Sequence, residues 1–288
     1  MIYAWNPDER IYPTSMVKMM TALVAIENAP LTDEVTVTRS ALNSVAIGSV
    51  SAGLKAGEVL TVQDLLYGLM LHSGNDAAVA LAIYCGGTVE GFAELMNDKA
   101  RFLGLRDTHF SNPHGLDSNE NYSTARDLAK LAAYAMENPI FAQTVSTKTV
   151  RIGQRSLRNH NKLLWQVEGA DGVKTGFTKA AGRLLVSSAV RDGRRLIAVT
   201  LQDGNDWLDH EALYDFGFVA FTPFPAAVKG EEAAEIKLTG GEKTAVPALF
   251  GEDFAYPLAE GEKLQRKLEI PAETAAPIAA GQKLGEAV

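Results

Sequence analysis

Apolar residues recur at helical spacing through the first half of the chain and abandon that spacing near residue 145. This switch constrains the fold most, because a stripe of period 3.6 is buried by a helix and alternation of period 2 by a strand. Met16–Glu27 carries apolar residues at 16, 17, 20, 23, 24 and 26, which predicts an amphipathic helix. Val62–Leu71 and Asp76–Tyr84 predict two more, split by His72-Ser73-Gly74-Asn75. Thr88–Leu103 is a fourth, with Thr88 as N-cap. A fifth opens at Ser123-Thr124-Ala125-Arg126-Asp127, where Thr124 and Asp127 stand in a capping arrangement, and its apolar side is Leu128, Leu131, Ala132 and Ala135. Beyond the switch, Thr144–Ile152, Gly182–Val190 and Leu196–Leu201 read as strands. Arg191-Asp192-Gly193-Arg194 is a turn signal that makes the last two an antiparallel hairpin. Asp206–Phe216 returns to helix. After Pro223 the chain turns to Pro and Gly punctuation and short alternating segments such as Glu235-Ile236-Lys237-Leu238, a small β-rich module behind a linker at Thr222–Pro225.

Composition removes several function classes. With 288 residues and a net charge of −8, and without a Lys/Arg cluster, the chain is a poor partner for a phosphate backbone, and no nucleic acid is expected. The longest apolar runs, Ala22–Ile26 and Leu196–Leu201, are far short of a membrane span. A single cysteine, Cys85, excludes an intrachain disulfide and a cysteine zinc cage, and its place after Ala77–Tyr84 predicts a buried structural thiol. His109 and His114 have a poor spacing for a metal, and neither a Gly-rich dinucleotide loop nor a Walker A sequence occurs. In Gly48-Ser49-Val50-Ser51-Ala52-Gly53, Ser49 stands where a Gly-x-Ser-x-Gly elbow needs glycine, so a Ser-His-Asp enzyme is unsupported.

A different serine chemistry is supported. Ser15-Met16-Val17-Lys18 opens the first helix, where a three-residue separation brings both side chains onto one face. A serine hydroxyl is a weak nucleophile until a neighbour takes its proton, and a lysine can do so only when burial or nearby cations keep it neutral. Ser73-Gly74-Asn75 lies between two helices. Gly74 is expected to let the link turn tightly so that Ser73 relays a proton and Asn75 holds a peptide group. Lys174-Thr175-Gly176 falls where strands begin, a lysine and hydroxyl suited to a carboxylate beside a glycine that permits close approach. Each of the three alone has a plain structural explanation; together, in order, they do not.

The set resembles the Ser-x-x-Lys, Ser-x-Asn, Lys-Thr-Gly signature of penicillin-binding proteins and serine β-lactamases. Tyr12-Pro13-Thr14-Ser15-Met16-Val17-Lys18-Met19-Met20-Thr21-Ala22, Asp64-Leu65-Leu66-Tyr67-Gly68-Leu69, Asn112-Pro113-His114-Gly115-Leu116 and Asp171-Gly172-Val173-Lys174-Thr175-Gly176-Phe177-Thr178 are similar to the D-alanyl-D-alanine carboxypeptidase family in particular. The resemblance implies an α+β fold: a penicillin-binding, β-lactamase-like domain over residues 1–222, its antiparallel sheet flanked by helices and Ser15 buried at their junction, and a β-rich C-terminal domain over 223–288. It implies that Ser15 attacks the terminal peptide bond of a peptidoglycan stem peptide ending in D-Ala-D-Ala, with Lys18 as general base and Ser73 as proton relay. Asn75, Lys174, Thr175 and Gly176 would bind substrate, and the backbone N–H groups of Ser15 and Phe177 would form the oxyanion hole. No metal or cofactor would be required, β-lactam antibiotics would be covalent inhibitors, and the setting would be extracytoplasmic.

The chain also departs from the family pattern. Phe177 stands where some members have histidine, and Thr14 where alanine is common. Met1–Trp5 is expected to be the second strand of a hairpin whose first strand and preceding signal peptide are not in this chain. Attachment to a membrane surface would come only through a C-terminal anchor, also absent from it. A serine β-lactamase is the rival enzyme, disfavoured by Gly74 and by the lack of a convincing deacylating glutamate. A catalytically silent cell-wall module is the rival of another class.

Overall fold

The stripe predicted over Met16–Glu27 forms helix α1 (Val17–Asn28), entered through one 3-10 turn at Thr14–Met16. Val17, Met19, Met20, Leu23 and Val24 are buried on it, each contributing about 1.5–3 kcal/mol. Strand β1 (Glu34–Thr36) and helix α2 (Arg39–Asn43) follow, then β2 (Val59–Thr61), which pairs with β1. Helix α3 (Val62–Met70) starts at a reciprocal capping box of Thr61 and Asp64. Helices α4 (Asn75–Gly86) and α5 (Val89–Phe102) pack with α1 and α3, and Thr88 caps α5 as expected. Helix α6 (Ala125–Glu137) is capped by Thr124, but the Asp127 carboxylate does not return the bond; it accepts from Asp107 N and Thr108 Oγ1 and ties down the preceding loop.

The strand expected over Thr144–Ile152 is half helix. Asn138 Oδ1 accepts from the N–H groups of Ile140 and Phe141, and Pro139 sits in the first turn, so helix α7 (Pro139–Ser146) runs through Thr144 before β3 (Thr149–Ile152) begins. Strand β4 (Arg155–Arg158) closes a hairpin with β3, and helix α8 (Leu163–Gln166) leads into the main sheet. There β5 (Ala170–Thr178), β6 (Gly182–Arg191) and β7 (Arg194–Leu201) lie in the order β5-β6-β7, all antiparallel. Register sets the two faces. Lys174, Gly176, Leu184 and Val186 face the helical core, where Gly176 meets Met16 and Gly172 meets Val145. Ser187 on the other face meets helix α9 (Asp206–Ala220), its Oγ lying 2.5 Å from both His210 Nδ1 and Tyr214 Oη, while His210 Nε2 reaches Thr200 Oγ1. His210 is fully buried with its pKa pushed down to about 3 by desolvation, so this serine–histidine contact is a polar seam and no catalytic pair.

Met1–Trp5 is not a strand. Among the described residues they carry no strand pairing and are largely exposed; a strand exists only through its ladder, and the outer edge of β7 takes no further strand among the described residues. The Cys85 thiol is only partly buried at the rim of the core, with its pKa raised to about 11 by desolvation.

The computed structural model describes residues 1–46, 48–116 and 118–288. It forms two units, Met1–Asp215 and Phe216–Val288. The second contains strands β8 (Phe221–Ala227), β9 (Glu232–Thr239), β10 (Ala245–Leu249), β11 (Phe254–Ala259), β12 (Leu268–Glu269), β13 (Glu273–Ala275) and β14 (Glu286–Ala287), paired β8 with β11, β9 with β10 and β13, and β12 with β14. The chain is thus an α+β domain with a sheet flanked by helices, followed by a small β-rich one. Among the described residues no single helix is long and apolar enough to cross a membrane.

Candidate active site

Three side chains meet where the 3-10 turn, α1 and the α3–α4 link converge. Lys18 Nζ hydrogen-bonds Ser15 Oγ at 3.1 Å and donates to the His114 carbonyl at 2.8 Å; Ser73 donates its hydroxyl to Ser15 Oγ at 3.0 Å. Lys18 is wholly buried, whereas Ser15 is only partly so, which leaves the hydroxyl reachable from the cleft. Burial first, and the Lys174 ammonium second, hold the Lys18 pKa well below the usual lysine range, with the Asp76 charge opposing them. The amine is therefore neutral far more readily than a surface lysine, and its lone pair is free to take the Ser15 proton. The acceptor at His114 occupies one N–H and fixes the direction of that lone pair.

Two loops maintain this arrangement. Asn112 Oδ1 accepts from His114 N (3.3 Å) and Gly115 N (2.7 Å), and its Nδ2 donates to Leu116 O (2.8 Å), an Asx-type turn that aims the His114 carbonyl inward. Thr21 on α1 donates to Pro113 O at 2.6 Å and anchors the same loop. Gly115 has φ +85°, and a Cβ there would stand 1.8 Å from Thr14 O, so only glycine fits. In the second loop the left-handed residue is Ser73 (φ 63°), not Gly74, whose φ is −62°. Gly74 is needed for space: a Cβ would lie 2.7 Å from Asp76 Oδ1 and 2.8 Å from Ala52 Cβ. Asp76 is buried and accepts from Ser51 Oγ, Leu54 N, Ala52 N and Ala77 N, which pins residues 51–54 under the Ser73-Gly74-Asn75 link. Ser51 is thus a structural hydroxyl.

Strand β5 forms the other wall, and its outer edge is unpaired among the described residues. Gly176 lets it approach the turn that carries Ser15; its Cβ position is 2.5 Å from Thr14 Oγ1 and 3.7 Å from Ser15 N. Lys174 is buried, donates to Thr175 O at 2.8 Å, and has its pKa lowered to about 7 by desolvation. Thr175 is half-buried and Phe177 exposed. Asn75 is 2% exposed at the start of α4, with its Oδ1 lacking a partner, as does Thr14 Oγ1. Sequence reasoning missed Asp76, Thr21 and the backbone of His114; the signal for the last was the Asn112-Pro113-His114-Gly115 turn, where the sequence weighs His114 only as a metal ligand.

Residues 1–205 match the family described as D-alanyl-D-alanine carboxypeptidase. The chain belongs to that family. Residues 221–288 match the C-terminal domain of penicillin-binding protein 5. Relatives include D-alanyl-D-alanine carboxypeptidase DacD of Escherichia coli, 38% identical over 98% of this chain and 77% of its own length. DacF of Bacillus subtilis is 31% identical over 100% of this chain and 77% of its own. Among solved structures, penicillin-binding protein 5 from Haemophilus influenzae superposes with a TM-score of 0.88 at 33% identity, covering 100% of this chain and 88% of that one. The two matched stretches fall one in each unit, 1–205 within Met1–Asp215 and 221–288 within Phe216–Val288.

Proposed function

We propose that Ser15 is the nucleophile of a serine-type D-alanyl-D-alanine carboxypeptidase that trims the terminal D-alanine from peptidoglycan stem peptides and is acylated by penicillins. The observation that carries this reading is the Ser15 hydroxyl held at 3.1 Å from a buried, readily neutral lysine and at 3.0 Å from a second serine. Ser15 Oγ attacks the penultimate carbonyl carbon while its proton passes to Lys18 Nζ. The oxyanion forms against the backbone N–H groups of Ser15 and Phe177; one such donor is worth roughly 2.7–4 kcal/mol. The C–N bond breaks as the Lys18 proton moves through Ser73 to the departing amine, which releases D-alanine and leaves an ester on Ser15. Water hydrolyses that ester and restores the hydroxyl.

Asn75, with a buried acceptor still unpaired, suits a substrate peptide N–H, and the open edge of β5 suits an extended peptide backbone. Thr175 and Lys174 receive the terminal carboxylate, and Gly176 keeps the strand close to Ser15. The reaction belongs on the extracytoplasmic face of the cell, where its substrate is, and residues 1–222 suffice to carry it, with 223–288 as an accessory β module. Ser15→Ala should abolish covalent labelling by a fluorescent penicillin and release of D-alanine from diacetyl-Lys-D-Ala-D-Ala. Labelling that survives the substitution removes Ser15 as nucleophile; labelling of the unmodified chain without D-alanine release removes the carboxypeptidase reading.

A further inference from the structure

Two histidines stand beside the catalytic groups without a part in the chemistry above. His72 immediately precedes Ser73, and His160 lies in the loop before α8; their ring centroids are 5.3 Å apart at a 55° tilt. The His160 backbone N–H donates to Leu71 O, which fastens this loop to the one carrying Ser73. The loop is also tied to β5: Asn161 Nδ2 donates to Gly172 O at 2.7 Å, two residues before Lys174. Both rings are reachable from solvent, and His160 is exposed.

The charges around them have one sign. Packing around the ring, then the Lys174 ammonium, then His72, hold the His160 pKa below the ordinary imidazole value. The carboxylates of the adjoining elements are already engaged. Both Asp76 oxygens, at the start of α4, take four donors, and Asp171 on β5 is paired with Arg195 on β7. Lys174 and His160 therefore both favour their neutral forms until an anion arrives.

Building on the carboxypeptidase reading, we infer that His72 and His160 form a paired-imidazole rim of the active site that, together with Lys174, recognises the terminal carboxylate of the acyl-D-Ala-D-Ala substrate. A carboxylate seated between these rings and Lys174 draws a proton onto His160, so substrate binding and imidazole protonation reinforce each other. An opposite charge at about 4–6 Å moves a titration midpoint by 1–3 pH units, and one pH unit is a factor of about ten in affinity. Affinity for an acid-ended peptide therefore strengthens several-fold from pH 8.5 to pH 6, and that of the same peptide ending in an amide stays level.

The test uses the Ser15→Ala chain, which binds without turnover, with diacetyl-Lys-D-Ala-D-Ala and its C-terminal amide as probes. Imidazole proton resonances are followed by NMR against pH, and affinity by calorimetry. The acid peptide should raise the His160 midpoint by about one pH unit and the amide should not. His160→Gln and His72→Gln, each added to Ser15→Ala, should weaken acid-peptide binding several-fold at pH 6 and little at pH 8.5. Binding of the acid peptide with an unmoved His160 midpoint, or equal weakening at both pH values, overturns the histidine role and leaves the proposed function standing. Failure of the acid peptide to bind overturns both.

Discussion

Replacing Lys174 with methionine should make the protein more stable and less able to work. An ordinary lysine releases its proton near pH 10.5, and buried Lys174 releases it at about 7. Between those values the unfolded chain holds a proton that the folded chain has lost, so folding of the unmodified protein becomes more favourable as pH rises through that window. Below about 7 the ammonium is charged in both states and the full cost of burying it is present. At about 1.4 kcal/mol per pH unit, a displacement of this size corresponds to an upper bound of about 5 kcal/mol. Methionine fills a similar volume but forfeits the bond from Nζ to Thr175 O, worth about 1 kcal/mol. The expected gain is about 3–4 kcal/mol at pH 6, shrinking towards zero by pH 10.5. Urea unfolding followed by tryptophan fluorescence reads it cleanly, because Trp5, Trp165 and Trp207 all lie in the unit Met1–Asp215. A gap that does not change with pH, or an unmodified protein that is the more stable at pH 6, refutes the argument that burial rather than pairing sets Lys174.

Gly115→Ala should cut the rate of penicillin acylation at least a hundredfold while the second unit stays folded. A Cβ 1.8 Å from Thr14 O forces the loop away and withdraws the His114 carbonyl from Lys18; acylation within tenfold of the unmodified rate counts against that carbonyl. Cys85, with its pKa raised to about 11, should be thiolate in only about one molecule per thousand at pH 8. Its reaction with a disulfide reagent should be far slower in the native protein than in urea, and comparable rates would show the thiol to be open.

The Ser15, Lys18 and Ser73 cluster was legible because chemistry fixes residue type at fixed spacing: a helix must present Ser15 and Lys18 on one side. Long amphipathic helices such as α5 and α6 were legible for the same reason, with Thr88 and Thr124 marking their starts. What stayed hidden was decided by tertiary partners. Thr144 reads as strand in isolation, but the Asn138 cap upstream commits it to α7. Gly74 invites a left-handed turn, yet the turn falls on Ser73 and the glycine serves the approach of Ala52, a residue 22 positions away that no local pattern reveals. The role of Asp76 was equally hidden, since its four donors come mostly from a segment without regular structure.

In the proposed reaction Lys18 is kept ready to accept a proton by its burial more than by any single partner. A histidine base would keep its character in a loosened site, but a lysine readmitted to water regains its proton and ceases to accept one. Warming, mild denaturant or a small void beneath α1 should therefore switch the chemistry off while the helices and sheet are still intact, so that activity reports the dryness of the interior before any spectroscopic sign of melting.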